Sequence, residues 1–205
     1  MTKAISALTL AAGASNRMPN KIKQLLPWDN TTLLGNTIHQ VSPLVDAVHV
    51  VLGAYADEIR PTLSKQVIAH VNPNWESGMG ASIAYGVSQI LKNEKVPDAI
   101  LILVPDQPLM DTMHFDKLKE TYLKNENVNL VATHYGNQRH GVPAIFDHSL
   151  FSELQSLRKD FGAKKIIQNH LSVAKLIPGN GKEIDVDTYE SYLQLIKDTS
   201  KGSSI

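Results

Sequence analysis

The fold is decided near the start of the chain, where residues 5–23 read Ile-Ser-Ala-Leu-Thr-Leu-Ala-Ala-Gly-Ala-Ser-Asn-Arg-Met-Pro-Asn-Lys-Ile-Lys. The apolar run 5–12 ends at Gly13, which predicts a buried strand followed by a loop. Small side chains in this loop let backbone N–H groups approach an anion, and successive N–H groups form a concave anion site. Arg17 and Lys23 add the positive charge that a triphosphate needs where water is partly excluded. The stretch is therefore a candidate phosphate-binding loop.

A tight turn with solvated basic side chains is the alternative interpretation of this loop. The loop lacks the Gly-Lys-Ser/Thr ending of a P-loop. It also lacks a second glycine at the spacing used by dinucleotide-binding folds, so the sequence does not support NAD binding.

Strand and helix patterns alternate through the first half of the chain. The most strand-like stretch, 99–104, has no polar face, as expected for a central strand that is covered on both sides. The alternation predicts an α/β fold, a three-layer α/β/α sandwich with a mostly parallel, Rossmann-like sheet. Ligands of such sheets bind beyond the carboxyl ends of the strands, so site residues should follow strands. The predicted strands are 5–12, 47–52, 66–71, 99–104, 130–133, 142–146 and 173–177. The predicted helices are 33–41, capped by Thr31-Thr32, and 56–64, 81–91, 113–123, 163–169 and 188–196.

Length and composition limit the class of protein. The 205 residues suit one domain, predicted over 1–198 with a frayed tail at 199–205. Lys and Arg total 20 and Asp and Glu total 20, which argues against general attraction to nucleic acid or to an anionic membrane. The absence of cysteine excludes disulfides and cysteine-ligated zinc. We recognise no signal-peptide pattern and no membrane-spanning apolar run, so we expect a cytoplasmic protein.

Acidic side chains at two places are candidate metal ligands. Asp106 directly follows the 99–104 strand and lies between two prolines, which hold its carboxylate rigidly at the end of the strand. Mg²⁺ favours one or two carboxylates together with phosphate oxygens and waters, although an Asp in a turn is also common. Asp185 is the preferred second ligand, because Asp187 fits an N-cap of the last helix with Glu190 three residues later.

A second glycine-containing loop precedes the helix predicted at 81–91. Gly78 and Gly80 near a helix start make another place where backbone N–H groups can face an anion. Ser82 is a candidate contact for the base, the ribose or the acceptor of a transferred group. A flexible loop with a helix cap explains the same pattern equally well.

Several of these segments resemble one family of enzymes. Residues 10–18, Leu-Ala-Ala-Gly-x-Ser-x-Arg-Met, and residues 23–26, Lys-x-Leu-Leu, resemble the opening signature of the nucleotidyltransferases related to the molybdenum cofactor enzymes. Further segments resemble other motifs of that family and occur in the family's order: 72–82, 106–108, 134–146 and 185–191. The resemblance therefore covers almost the whole chain.

The resemblance implies a Mg²⁺-dependent nucleotidyltransferase. Its catalytic residues would be Arg17, Lys23 and Asp106, with magnesium on Asp106 and Asp185. The implied acceptor-binding residues are Gln107, His140, Gly141 and Pro143. The implied nucleotide contacts are Leu10, Ala11, Ala12, Gly13, Ser15, Arg17, Lys23, Gly78, Gly80, Ser82 and Asp106.

The chain departs from the family pattern at three positions. Pro19 and Pro105 stand where the family usually has glycine, and Val142 stands where it has a histidine, with another histidine two residues earlier. An extra residue before Lys23 makes Lys21 a rival for the catalytic lysine.

The branch of the family is indicated by two short stretches. Ala-Ala-Gly at 11–13 and Leu-Pro-Trp at 26–28 resemble the cytidylyltransferase branch. This implies transfer of CMP from CTP to molybdopterin with release of pyrophosphate, and transient contact with the molybdoenzyme that receives the cofactor. The sequence leaves open a guanylyltransferase or sugar-phosphate nucleotidyltransferase of the same fold, or a non-catalytic pterin-binding or chaperone module.

Overall fold

The computed structural model describes residues 3–159 and 161–202. The strands are β1 (Ile5–Ala11), β2 (Pro27–Trp28), β3 (Thr31–Thr32), β4 (Ala47–Leu52), β5 (Val67–Val71), β6 (Ala99–Leu103), β7 (Leu130–His134), β8 (His140–Asp147) and β9 (Lys175–Pro178). The helices are α1 (Leu33–Val41), α2 (Ala56–Ile59), α3 (Met79–Ile90), α4 (Thr112–Lys124), α5 (Phe151–Ser156), α6 (Lys164–Asn169) and α7 (Tyr189–Gly202).

A seven-stranded sheet forms the centre of the molecule, in the order β5-β4-β1-β6-β8-β7-β9. Pairing is parallel from β5 to β6, and β8 runs antiparallel to both of its neighbours, so that β7 and β9 again run with β1. Strands β2 and β3 form a separate short hairpin. The parallel strands β1, β4, β5 and β6 therefore end at one edge, where the loops that follow them meet.

Helices cover both faces of this sheet. Strand β6 shows why, because alternate side chains of a strand point to opposite faces. Ile100 and Ile102 belong to a core with α3, α5 and α6 on one face, whereas Leu101 and Leu103 pack with α1 and α4 on the other. All four are at most 1% exposed. The predicted three-layer α/β/α fold with a mostly parallel sheet is confirmed.

Helix α7 forms a smaller core with the segment that follows the first loop. Met18, Trp28 and Leu33 pack there against Val186 and Tyr192. The Tyr192 hydroxyl also donates to the Pro27 carbonyl at 2.6 Å. The C-terminal helix thus holds the arm of chain between β1 and α1 in place.

The structure corrects several element boundaries. The helix predicted over 56–64 ends at Ile59 and continues as a short 3-10 turn that contains Pro61, because proline lacks the N–H of a regular helix. Helix α5 has no counterpart among the predicted elements. Helix α7 continues to Gly202, so residues 199–202 are helical where a frayed tail was predicted. The Thr199 and Ser200 hydroxyls donate to carbonyls of the preceding turn there. The rest of that predicted tail, 203–205, lies outside the described residues.

No helix within residues 3–159 and 161–202 has the length and apolar character needed to cross a membrane.

Two stacked histidines lie side by side on β4 and β5. His49 is 1% exposed, and its Nδ1 lies 2.9 Å from Nε2 of His70. One of these nitrogens has to carry the proton and the other has to accept it. Burial, followed by the charge of His70, lowers the pKa of His49 from 6.5 to about 4.

Replacing Ile100 by alanine should lower the free energy of unfolding by about 2–5 kcal/mol, because it leaves a cavity in the centre of the sheet. Ile68 on the edge strand β5 is 42% exposed and provides a matched control. Ile68→Ala should cost less than about 1 kcal/mol. Urea denaturation of both variants measures the difference. An Ile100→Ala cost no larger than that of Ile68→Ala would contradict the central position of β6.

Stability should depend on the protonation of His49. The unfolded chain binds this proton more readily than the folded protein, so the free energy of unfolding should fall as the pH drops from about 6.5 to about 4. The slope is up to about 1.4 kcal/mol per pH unit for one such group. His49→Gln should flatten this slope, and His39→Gln, at an exposed position, should leave it unchanged. Denaturation series over this pH range measure both, and an unchanged slope in His49→Gln would refute the assignment.

Candidate nucleotide-binding site

A cleft of about 470 Å³ opens at the edge where β1 and β6 end. Its walls are the loop after β1, the loop between β5 and α3, and the loop after β6, joined by Asp187 from the C-terminal segment. Nine of the eleven predicted nucleotide contacts line it: Leu10, Ala12, Gly13, Ser15, Arg17, Lys23, Gly78, Ser82 and Asp106. The convergence of the first loop and the Asp106 loop, predicted from the sequence, is therefore present.

The loop after β1 is held by side chains from outside it. The Tyr55 hydroxyl donates to the Ala14 carbonyl at 3.1 Å, and the Gln24 amide donates to the Gly13 carbonyl at 3.0 Å. Ser15 has a left-handed backbone with φ of 54°. Its carbonyl accepts from Met18 N at 2.7 Å and closes the turn.

Lys23 and Asp106 meet inside the cleft. Lys23 Nζ lies 2.7 Å from Asp106 Oδ2, and the side chains are 16% and 24% exposed. Lys21 instead lies outside, with Nζ 4.1 Å from the centre of the Tyr189 ring. Of the two rival lysines, Lys23 is the one that reaches the acidic side of the cleft.

Asp187 has a different environment from the predicted one. It is not the N-cap of α7, because Thr188 fills that position: Thr188 Oγ1 accepts from Ser191 N, and Ser191 Oγ accepts from Thr188 N, both at 3.1 Å. The Asp187 carboxylate is thus left to pair with Arg17 at 2.8 Å and with Lys23 at 3.6 Å. It lines the cleft as a second acid beside Asp106.

Asp185, the predicted second metal ligand, is not among the residues that line the cleft. Its Oδ1 accepts from Gln107 Nε2 at 3.0 Å. Although the residue is exposed at the surface, desolvation of its carboxyl group, followed by the nearby Asp106 charge, raises the pKa of Asp185. The Val186 N–H donates to the Asp106 carbonyl at 2.8 Å, which ties this segment to the loop after β6.

One carboxylate oxygen in the cleft is suited to bind a divalent cation. Asp106 Oδ1 is buried and has no hydrogen-bond partner among the described residues, so one oxygen of this carboxylate is free for another ligand. Within 3–159 and 161–202, no three His, Cys, Asp or Glu side chains gather in a way that could hold a metal ion. Mg²⁺ bound with a nucleotide usually takes one or two protein carboxylates and completes its coordination with phosphate oxygens and waters.

The two glycines before α3 have different roles. Gly78 lines the cleft and has φ of 98°, a conformation that favours glycine. Gly80 lies outside it: its N–H donates to the Lys159 carbonyl at 2.8 Å, and a Cβ there would lie 2.5 Å from the Phe161 carbonyl. Its amide is therefore engaged in packing. Ala11, the other predicted contact outside the cleft, is buried in β1 and its carbonyl accepts from Gln24.

The predicted acceptor residues lie on the other side of Asp106. Gln107 is 3% exposed, and its Nε2 donates to the Tyr135 hydroxyl at 3.1 Å. That hydroxyl donates to the Val142 carbonyl, and burial raises the pKa of Tyr135 to about 12, which keeps it protonated.

The remaining predicted acceptor residues lie on β8. Gly141 lies against the Tyr135 ring, where a Cβ would be 2.5 Å from its hydroxyl. His140 packs on His134 with ring centres 5.0 Å apart, and the Pro143 carbonyl accepts from Thr133 Oγ1 at 2.7 Å. Neither Gln107 nor these β8 residues line the 470 Å³ cleft.

The sequence analysis assigned no site role to several polar residues that organise the site. Gln24, Tyr55 and Tyr135 are the clearest cases. Gln24 and Tyr135 carried a signal, because they lie in the segments 23–26 and 134–146 already identified, whereas Tyr55 lies outside every such segment.

Two curated relatives differ in how much of their length the chain spans. The bifunctional protein GlmU of Pseudomonas syringae pv. syringae is 28% identical over 165 residues, which cover 74% of this chain and 34% of that protein. The chain thus spans about a third of that relative. Nicotine blue oxidoreductase of Paenarthrobacter nicotinovorans is 28% identical over 204 residues, 94% of this chain and 96% of that protein.

Solved structures show the same fold. A nucleotidyl transferase from Methanothermobacter superposes with a TM-score of 0.81 at 21% identity, covering 98% of this chain and 99% of its own. Rv0371C of Mycobacterium tuberculosis H37Rv, solved in complex with manganese, gives a TM-score of 0.75 at 22% identity, with 95% and 98% coverage.

The family is identified by the sequence itself. Residues 7–174, which include most of β1, the loop after it and the Asp106 loop, match the MobA-like NTP transferase domain. The match spans more than half of the chain and agrees with the cleft described above. The protein belongs to the MobA-like NTP transferase family.

Proposed function

We propose that the protein is a nucleotidyltransferase that transfers CMP from CTP to a phosphorylated acceptor of the molybdopterin type and releases pyrophosphate. One observation carries this proposal: the glycine loop, two cations and Asp106 face one cleft at the ends of parallel strands, with Lys23 Nζ 2.7 Å from Asp106. A polyanion with a metal ion is the ligand that matches this combination of donors, cations and acid.

The proposed reaction is a direct displacement at phosphorus. An acceptor phosphate oxygen attacks the α-phosphorus, a new P–O bond forms, and the bond to pyrophosphate breaks. Backbone N–H groups near Gly13 hold the β- and γ-phosphates, Arg17 stabilises the leaving pyrophosphate, and Lys23 neutralises charge at the α-phosphate. The nucleophile is already an anion, so catalysis consists of positioning and charge neutralisation rather than strong base chemistry.

A divalent cation, proposed to be Mg²⁺, would be held by Asp106 and Asp185. When bound, it supplies Lewis-acid stabilisation of charge on the phosphates. The free Oδ1 of Asp106 supports this role, and so does the manganese complex of the mycobacterial neighbour. Asp187, which faces the cleft, is a further candidate ligand in place of Asp185.

The nucleotide and the acceptor are proposed from different features. The Ala11-Ala12-Gly13 loop favours CTP through its resemblance to the cytidylyl branch. We propose that the acceptor binds beside Gln107, near His140, Gly141 and Pro143 on β8. The proposal includes a cytoplasmic location and transient contact with the molybdoenzyme that takes the product.

An oxidoreductase is the second candidate function, and the end-to-end match to nicotine blue oxidoreductase is the observation that favours it. Such an enzyme would consume a reductant and release no pyrophosphate. A guanylyltransferase or a sugar-phosphate nucleotidyltransferase would release pyrophosphate with another base or acceptor, and a non-catalytic module would bind a pterin without turnover.

Substitution of Asp106 by alanine should abolish nucleotidyl transfer while leaving the fold intact. Loss of the carboxylate at the reacting phosphates should reduce kcat/KM at least about 100-fold. Asp57→Ala, at an exposed acid on α2, should change it less than about twofold. Pyrophosphate release measures activity and circular dichroism checks the fold. A folded Asp106→Ala variant with wild-type turnover would overturn the assignment.

A screen of the four nucleoside triphosphates with Mg²⁺ and a molybdopterin acceptor should give pyrophosphate release with CTP. The basis for this expectation is the resemblance of Ala11-Ala12-Gly13 to the cytidylyltransferase branch. Release with GTP or UTP but not with CTP would defeat the choice of nucleotide. Consumption of an added reductant without pyrophosphate release from any triphosphate would favour the oxidoreductase instead.

A further inference from the structure

A buried glutamine joins the first loop to the segment that carries Lys23. Gln24 is 4% exposed. Its Nε2 donates to the carbonyls of Ala11 at 3.3 Å and Gly13 at 3.0 Å, and its Oε1 accepts from the Ser15 hydroxyl at 3.3 Å. A buried amide that loses such partners is left with unsatisfied polar atoms, so these contacts fix its orientation.

Ser15 extends this set of hydrogen bonds to the catalytic lysine. Its Oγ donates to Gln24 and accepts from the Lys23 N–H at 3.1 Å. Ser15 also has φ of 54°, which a residue other than glycine keeps only when its surroundings hold it there. The end of β1, the loop and the backbone of Lys23 are therefore linked through two side chains.

The contact to Gly13 decides how the loop faces an anion. No atom lies within 4 Å of a Cβ built on Gly13, so the residue faces open space, and a glycine backbone is by nature permissive. In a trans peptide the carbonyl and the following N–H point in opposite directions. With the Gly13 carbonyl turned to Gln24, the Ala14 N–H points away from Gln24. A flipped peptide would turn the carbonyl oxygen the other way, where it would repel phosphate.

We propose that Gln24 is a positioning residue for triphosphate binding. It keeps the Gly13–Ala14 peptide in the orientation that accepts an anion, and through Ser15 it sets the Lys23 backbone so that Nζ faces Asp106. The inference rests on the proposed nucleotide function and assigns to Gln24 a role that no motif gave it.

Gln24→Glu tests this role with a side chain of the same shape. A carboxylate cannot donate to the Ala11 and Gly13 carbonyls and is repelled by both. Affinity for magnesium tripolyphosphate, which has the phosphate chain without a base, should fall about 10- to 100-fold in titration calorimetry. In turnover with the preferred triphosphate, KM should rise more than kcat falls, because the β- and γ-phosphates are held alike in the ground and transition states.

A pH series separates positioning from general damage to the fold. The carboxyl group that Gln24→Glu introduces regains one donor when it is protonated, and burial favours that form. The affinity of Gln24→Glu relative to wild type should therefore rise as the pH is lowered from about 8 to about 5.5. Gln24→Met keeps the volume without any donor, so its loss of affinity should be independent of pH.

A glutamine elsewhere in the chain serves as the matched control. Gln155 Nε2 donates to Ser88 Oγ at 3.1 Å between α5 and α3, away from the cleft. Gln155→Glu should leave affinity and KM unchanged. Wild-type affinity in a folded Gln24→Glu or Gln24→Met variant would overturn the role of Gln24 alone. Failure of the wild type to bind either tripolyphosphate or any nucleoside triphosphate would overturn the proposed function, and this inference with it.

Discussion

The ion pair between Lys23 and Asp106 is the contact on which the site depends. It joins side chains 83 residues apart, one from the arm after β1 and one from the end of β6, with Nζ and Oδ2 2.7 Å apart. These positions can meet only because β1 and β6 are parallel neighbours that end at the same edge of the sheet. Both side chains are mostly buried, where an unpaired charge is costly, and Asp187 adds a longer contact to Lys23 at 3.6 Å. The order of the strands in the sheet therefore determines which charges meet in the cleft.

The C-terminal segment completes a site that the family-matched region does not complete alone. The match ends at residue 174, whereas Asp185, Asp187 and α7 follow it. Val186 is fully buried in the core that also contains Met18 and Leu33, and its N–H is bound to the Asp106 carbonyl. Packing of α7 against the arm after β1 therefore places Asp187 beside Arg17 and Lys23 of that arm. Burial of the apolar face of α7 thus fixes the position of the acidic residues that precede this helix.

Sequence patterns were sufficient where the determinant is local. An apolar run followed by a small-residue loop defined β1 and its turn, and a run without a polar face defined β6. Patterns failed where a distant partner decides the outcome. Gly78 and Gly80 look alike in the sequence, yet the Lys159 carbonyl takes the N–H of Gly80 and leaves only Gly78 at the cleft. Likewise, Asp187 is free to pair with Arg17 only because Thr188 and Ser191 cap α7 between them.

The two cations of the cleft, Lys23 and Arg17, differ in how strongly solvent screens their charge. The Lys23 side chain is 16% exposed and the Arg17 side chain is 69% exposed. Water and salt screen the field of an exposed charge, and exposed ion pairs contribute about 0–1 kcal/mol, whereas a charge with protein on most sides acts at a lower effective dielectric. Lys23 also has its backbone tied to Ser15, while Arg17 makes its pair at the rim with a half-exposed Asp187. A phosphate bound in this cleft would therefore interact strongly with the charge of Lys23, which is held in one position. Its interaction with the exposed charge of Arg17 would be weaker and less fixed in position. This division suits a reaction in which the α-phosphate has to be held still while pyrophosphate leaves.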